Sequence, residues 1–247
     1  MTSQESADLY KLLPDTPSVK AALEFARKHL DDPSYNHVLR SALFSSILMN
    51  NILNGPLSTA DKEVVVVADL LHDMAWNPML ESTRQFVSKD KRFEVDSANA
   101  ARDFLAYLPS EYGWDHRRIQ LVWDGIALHS SPSIGYHKEA EVVLVGFGIL
   151  VDVVGNPEVS LPGVPQESAI AQEQFSSIYT TLPSLHLAKY LKGALCALCT
   201  QKPETTYDNF VAGYSEEYVG GYTTVGKRMV DLLKLREEAE ENNQTLP

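Results

Sequence analysis

The sequence has few basic residues and no long apolar run. Lysine and arginine number 21 against 33 aspartates and glutamates, which gives a formal net charge of −12 at pH 7. Proteins that follow a nucleic-acid backbone or lie on an anionic membrane need a basic face, so this deficit argues against both classes. No stretch approaches a membrane-spanning length, and the start of the chain lacks a signal-peptide pattern. We therefore expect a cytoplasmic protein with a small-molecule substrate, and a homo-oligomer is left open.

Cysteine is also scarce, with two residues spaced as C-x-x-C at Cys196 and Cys199. Such a pair can form half of a zinc site or a redox centre, but no second C-x-x-C and no thioredoxin-like strand pattern accompanies it. Free cysteines commonly pack as small apolar side chains. We interpret both cysteines as core residues.

Strand alternation, internal repeats, phosphate-binding loops and G-x-S-x-G motifs are likewise missing from the sequence. Apolar residues instead recur at helical spacing, and 247 residues of which 44% are hydrophobic can fill one sizeable core. We predict a single compact all-α fold, with a helical extension over 1–33, a core over 34–156 and C-terminal helices over 157–247 packed on that core. Apart from the helix described next, helices are predicted over 18–30, 34–53, 93–108, 116–129, 138–154, 166–181, 185–200 and 225–240.

The most informative stretch is a buried helix that ends in an adjacent histidine and aspartate. A start signal at 58–61 and a stop signal at 77–78 bracket residues that are apolar around most of the helix. His72 and Asp73 fall in its last turn, where an unpaired charge next to the core would be costly. A divalent cation would compensate for that charge, because imidazole nitrogens and carboxylate oxygens are standard ligands of zinc and related metals.

Other ionisable residues share helix faces with apolar residues. His37 lies on the inner stripe of the helix over 34–53, and Arg40 lies about one turn further on. His129 ends the helix over 116–129 facing inward, and Asp152 lies on the inner stripe of the helix over 138–154. A charge at any of these positions requires a partner.

A pocket is predicted near these residues. The connection over 77–92 is too long for a tight turn, so we interpret it as an active-site lid or a mobile loop. Trp76 and Phe86 would wall the pocket on that side. Tyr136 and His137, which follow the His129 helix, would border it.

Together these residues resemble the HD superfamily of metal-dependent helical hydrolases, in which a histidine, a His-Asp pair and a later aspartate occur in this order. The strings YNHVLR at 35–40, LLHD at 70–73, RFE at 92–94, ALH at 127–129 and LVDVVG at 150–155 are similar to motifs of its cyanamide hydratase branch. The similarity covers residues 34–156 and is weaker beyond them.

The resemblance implies an HD-domain fold with a metal site in the helix core. It implies one divalent cation, zinc in the first instance, with iron, manganese and nickel as alternatives. Relatives with two metals use two additional histidines, for which His116 and His129 would be the candidates in this sequence. On one helix these two residues would lie roughly 20 Å apart, too far to serve one metal cluster. We therefore predict a single cation whose ligands are His37, His72, Asp73 and Asp152.

The same resemblance implies that water bound to this cation is the nucleophile, because coordination lowers the pKa of water towards neutrality. Asp73, or His129 through a short hydrogen bond, would accept or relay the proton as the catalytic base. Arg40 and Glu94 would orient the ligands from behind.

The predicted function is hydration or hydrolysis of a small polar substrate of nitrile or amide type, as a hydratase (a hydro-lyase) or a hydrolase. Near the site, Leu128, Ser130 and Val153 depart from the cyanamide hydratase branch, which argues against cyanamide itself as the substrate. Two alternatives stay open. One is a non-catalytic binding module stabilised by a metal. The other is a phosphohydrolase of nucleotides or other phosphate esters, which would draw on the cations Arg84, Lys89, Lys91 and Arg92.

Overall fold

The structure is a computed structural model that describes residues 9–242. Within this range the secondary structure is helical, with no β-strand, which confirms the predicted all-α fold. The helices are α1 (Pro17–His29), α2 (Asp32–Asn51), α3 (Lys62–Leu71), α4 (Phe93–Ala106), α5 (His116–Leu128), α6 (Pro132–Gly135), α7 (Ala140–Val154), α8 (Gln172–Thr181), α9 (Leu187–Gln201), α10 (Val211–Tyr218) and α11 (Met229–Glu241).

The core is built around α3, which packs against α1, α2, α5 and α7. Every residue of α3 from Val64 to Leu71 is buried. Its first turn is capped by Asp61, whose carboxylate accepts hydrogen bonds from the backbone N–H groups of Glu63 and Val64. The cap lies within the predicted start signal, but the helix ends at Leu71, so His72 and Asp73 immediately follow the helix.

The helices α2 and α7 approach each other at Gly148. A Cβ atom on Gly148 would lie 2.6 Å from the backbone oxygen of Ser41, and it would also overlap the hydroxyl of Ser45. A side chain therefore does not fit at this crossing, and glycine permits the two backbones to lie this close.

The connection over 77–92 packs against α1. The ring of Phe86 lies 5.8 Å from the ring of Phe25 and 5.1 Å from that of His29, measured between centroids. The Ser82 hydroxyl donates to the His29 carbonyl, and the Ser82 carbonyl lies 3.0 Å from Nδ1 of His29. Apolar and polar contacts therefore hold part of this segment against the N-terminal helix, and its role as an active-site lid or a mobile loop stays a prediction.

The C-terminal helices contribute to a second hydrophobic cluster, distinct from the main core. Trp76 and Phe93 join α9 and α10 in this cluster. An ion pair of 2.8 Å between Lys202 and Asp96, both nearly inaccessible to solvent, ties the end of α9 to α4. Of the two cysteines, Cys199 is buried in the cluster, whereas Cys196 is partly exposed.

The last helix, α11, has no buried residue. Its apolar side chains are about half or more exposed, and they are Met229, Val230, Leu232, Leu233 and Leu235.

Across residues 9–242, helices that are both long and apolar enough to cross a membrane do not occur.

Candidate metal centre

Three of the predicted ligands meet just beyond the C-terminal end of α3. His72 and Asp73 follow that helix directly, and His37 reaches the same point from α2. One ligand atom from each of the three residues lies within 4.8 Å of the others. His37 is 1% exposed, His72 is 0% exposed and Asp73 is 3% exposed, so protein encloses the group.

The two imidazole rings face each other through their Nε2 atoms. Nδ1 of His72 donates to the Asp69 carbonyl at 2.7 Å, and Nδ1 of His37 donates to the Asp152 carboxylate at 2.6 Å. Because these bonds place a proton on each Nδ1, the lone pair of each neutral ring lies on Nε2. The two Nε2 atoms are 3.1 Å apart.

Asp73 completes a triangle of potential ligand atoms. Its Oδ2 lies 3.3 Å from Nε2 of His72 and 3.5 Å from Nε2 of His37. Ligand atoms held at zinc–nitrogen and zinc–oxygen distances in tetrahedral geometry are separated by roughly 3.3 Å. The edges of the triangle match that separation, so these three residues can hold a small divalent cation.

The negative charge of Asp73 favours cation binding, whereas a proton on His72 would compete with the cation. Burial by itself would raise the pKa of Asp73, but the neighbouring imidazoles of His72 and His37 outweigh burial and hold this pKa below its usual range. Burial opposes protonation of His72, yet the carboxylate of Asp73 outweighs it and raises the His72 pKa. A cation at this site would therefore displace a proton from His72, since the neutral ring is the form that binds a metal. Asp73 is therefore ionised at neutral pH, which is the form that binds a metal.

Asp152 lies behind His37 and outside the triangle. Its Oδ2 accepts from Nδ1 of His37 and, at 2.9 Å, from Nη2 of Arg40. Its Oδ1 accepts from Nε of Arg40 at 2.5 Å and from the Tyr179 hydroxyl at 3.0 Å. Burial would raise the pKa of Asp152, but His37 and Arg40 hold it below the ordinary value.

The position of Asp152 differs from that predicted for the fourth metal ligand. Helical periodicity placed this residue on the inner face of α7, where it is found. The periodicity carried no information on whether its carboxylate meets a cation or the far nitrogen of a ligand.

Arg40 holds the Asp152 carboxylate on the side away from the triangle. It is fully buried, and its Nη1 donates to the carbonyls of Leu182 and Pro183 at 3.0 Å each. With its remaining donors on Asp152, the guanidinium links α2 to α7 and to the segment after α8. Arg40 thus holds the carboxylate that accepts a hydrogen bond from Nδ1 of His37.

His129 lies beside the triangle without being part of it. Its ring centroid is 5.0 Å from that of His72, and its Nδ1 donates to the Ile126 carbonyl at 2.7 Å. The lone pair of the neutral ring is therefore on Nε2. Burial, together with the nearby His72, lowers the pKa of His129 to about 4, so this imidazole is neutral at pH 7.

Glu94 anchors the residue that follows His129. It is 1% exposed, accepts from Nη2 of Arg92 at 2.5 Å, and also accepts from the hydroxyl of Ser130. Glu94 thus supports the end of α5 and does not contact the ligand triangle directly in these hydrogen bonds.

A cavity of about 350 Å³ opens onto the ligand triangle. The predicted pocket residues Trp76 and Tyr136 line it, together with the triangle and His129. Phe86 is instead held against α1, and His137 is exposed and is not part of this lining. Neither residue lines this cavity, because Phe86 packs on the rings of α1 and the side chain of His137 lies in solvent beside Tyr136.

Most of the cavity wall was not identified from the sequence. The apolar spacing of α7 and α9 indicated buried faces without indicating that a cavity lies between them. The helix α10 has only eight residues, too few for its periodicity to be recognised. The residues missed are Phe93, Pro132, Gly146, Ile149, Leu150, Leu191, Leu195, Phe210 and Tyr214.

No protein-family model matches the sequence, and no curated protein matches it. The chemistry of the site is therefore the basis for assigning a function.

Proposed function

We propose that this protein is a metal-dependent enzyme that adds water to a nitrile-type or amide-type carbon–nitrogen group. The observation that carries the proposal is the triangle of His37, His72 and Asp73 at the floor of a cavity. Structural zinc sites are closed by four protein ligands, whereas catalytic sites commonly have three and keep a position for water or substrate. Three ligands beside a cavity thus favour an enzyme over a binding module with a structural metal.

A divalent cation in this group would supply a water-derived nucleophile near neutral pH and polarise the substrate. Hydration of a nitrile, R–C≡N + H₂O → R–C(O)NH₂, forms a C–O bond and moves both water protons to nitrogen. Hydrolysis of an amide, R–C(O)NH₂ + H₂O → R–COOH + NH₃, forms a C–O bond and breaks the C–N bond. In both reactions the protein must carry a proton from oxygen to nitrogen.

His129 is the residue we assign to that proton transfer. Its neutral imidazole, with a lone pair on Nε2, lines the cavity beside His72. A pKa of about 4 makes this ring a weak proton acceptor, so its main part would be to relay the proton, and the imidazolium formed would be a strong donor to the leaving or product nitrogen. Asp73 keeps its negative charge throughout, and Asp152 holds Nδ1 of His37 in its protonated form.

The cavity does not favour the alternative of phosphate-ester hydrolysis. Among the described residues that line it there is no lysine or arginine, although phosphate recognition relies on such cations. Arg92 is paired with Glu94, and Arg84 is exposed and paired with Glu81. Lys189 lines a separate cavity, of about 420 Å³.

Metal analysis and turnover test the proposal together. We expect about one equivalent of zinc in the parent protein and none in His72→Ala, and we expect ammonia release or amide formation that stops on chelation and returns with zinc. His129→Gln should retain the metal and lose turnover by about 10²-fold or more. Full metal content in His72→Ala, or turnover that survives chelation, would refute the proposal.

A further inference from the structure

The cavity runs from the ligand triangle to the protein surface. At its floor His72 is fully buried, whereas Val153 and Phe210 in its wall are 48% and 46% exposed. Val153 belongs to α7, and Phe210 directly precedes α10. A ligand that reaches the triangle therefore passes between the main helical core and the C-terminal helices.

The wall between floor and mouth is apolar and rich in aromatic rings. Five aromatic residues line it from separate parts of the chain, which gives flat surfaces that pack well against a planar apolar group. No charged side chain lines the cavity beyond Asp73 and the histidines, among the residues that the structure describes. The aromatic residues are Trp76, Phe93, Tyr136, Phe210 and Tyr214.

The size of the cavity exceeds what a very small substrate needs. Each water molecule takes up about 30 Å³ in the liquid, so a substrate of three or four non-hydrogen atoms would occupy only a minor part of 350 Å³. The remainder would hold water against apolar side chains, which is unfavourable. An apolar group on the substrate would displace this water.

We propose that the substrate carries its reacting group on an uncharged, flat apolar arm of about the size of a phenyl ring. This inference rests on the proposed function and specifies its substrate class as aromatic nitriles or aromatic primary amides. The carbon–nitrogen group lies at the triangle, and the arm lies between Trp76, Tyr136 and Tyr214. Val153 and Phe210 select for the arm at the mouth, and a charge on the arm is disfavoured because the described wall beyond the triangle and His129 offers no charged partner.

Three probes separate the arm from the reacting group. Benzamide carries the arm, acetamide lacks it, and 4-carbamoylbenzoate carries the arm with a carboxylate at its far end. Binding to the full-length protein is measured by titration calorimetry or ligand-observed NMR, and ammonia release is measured separately. We expect benzamide to bind at least about tenfold more tightly than either of the other two probes.

Variants at the mouth provide the matched control. Val153→Phe narrows the cavity and should weaken benzamide binding by about fivefold or more, with little effect on acetamide. Val154→Phe makes the same change at a neighbouring position that is 51% exposed and is not in the cavity wall, and it should alter neither affinity. Phe210→Ala, at a half-exposed position, removes wall area and should weaken benzamide binding several-fold.

The outcomes separate this inference from the proposed function. Tight benzamide binding that Val153→Phe weakens supports the arm even if no ammonia is released, in which case the amide chemistry of the proposed function has failed. If the protein hydrolyses acetamide and shows no preference for benzamide, the proposed function is supported and the proposal of an apolar arm on the substrate is wrong. Equal binding of 4-carbamoylbenzoate and benzamide also overturns it, since the wall would then tolerate a charge.

Discussion

Asp152 contacts the far nitrogen of His37, and this position predicts a graded loss of metal affinity on substitution. Removal of a partner behind a metal ligand typically lowers affinity about 10–100-fold. We therefore expect Asp152→Asn to bind zinc about 10–100-fold more weakly than the parent, whereas His72→Ala should fail to bind one equivalent. Competition with a chromophoric chelator measures both affinities. Equal losses in the two variants would mean that Asp152 is itself a ligand.

Asp69 is also a buried aspartate, but its carboxyl group lacks the hydrogen-bond partners that Asp152 has. It is fully buried, and neither carboxyl oxygen has a hydrogen-bond partner among the described residues. The neighbouring Ser45 hydroxyl donates to the Leu144 carbonyl. Burial, the largest influence, raises the pKa of Asp69 well above its ordinary value.

An unpaired buried carboxyl group costs stability even when it is protonated, so its replacement by an apolar side chain of similar volume should stabilise the fold. We expect Asp69→Val to raise the free energy of unfolding by about 1 kcal/mol at pH 7, measured by urea denaturation. A loss of stability in this variant would indicate that the carboxyl group has a favourable role in the fold.

The sequence predicted the residues of the site better than their roles. His72 and Asp73 could be identified because two polar residues interrupt an apolar run, and such an interruption requires compensation. Asp69 interrupts the same run one turn earlier and was overlooked. The role of Asp152 depends on a contact of 2.6 Å between α2 and α7, and helical spacing does not resolve distances between helices.

At the scale of elements, the predicted helices correspond to observed ones, with differences at their ends. The helix α8 begins at Gln172 because residues Gln166–Ser168 form a separate 3₁₀ turn. Of the α-helices in residues 9–242, α10 and the single turn α6 were missed entirely. Both are short, and a few residues show too little of the 3.6-residue period to be distinguished from a loop.

The ion pair between Lys202 and Asp96 adds a buried polar contact between the end of α9 and α4, beside the apolar packing of Phe93. Removal of one partner of a buried pair leaves an uncompensated charge and costs about 3–5 kcal/mol. We expect Lys202→Met to lower the free energy of unfolding by about that amount, measured by chemical denaturation.

Lys189→Met provides the control on the same helix, because Lys189 is exposed. Its effect should stay within about 0.5 kcal/mol. Similar stabilities of the two variants would show that the buried pair does not hold α9 in place.

At the scale of the whole molecule, the cavity lies where the main core meets the second hydrophobic cluster. Residues of α9 and α10, such as Leu195 and Tyr214, face residues of the core, such as Ile149, across it. The division into an extension over 1–33, a core over 34–156 and C-terminal helices over 157–247 stays a prediction. The sequence did not indicate that these helices complete the pocket, because an apolar face that lines a cavity has the same pattern as one that packs against a neighbour.

The helix α11 contributes little to the folded core, since none of its residues is buried. A chain truncated after Arg228 should therefore unfold within about 0.5 kcal/mol of the full-length protein. Removal of its exposed apolar side chains should also reduce self-association. Thermal unfolding and static light scattering measure the two effects, and a clearly lowered unfolding temperature would contradict the first expectation.

The close approach of α2 and α7 at Gly148 has a consequence for mutational tolerance. Gly148 contributes no functional group, yet α2 carries His37 and Arg40, and α7 carries Asp152 four residues beyond the glycine. Any side chain at position 148 would push the helices apart and break the contact on which the orientation of His37 depends. In a saturation mutagenesis screen for activity, we expect position 148 to accept as few substitutions as the histidines themselves.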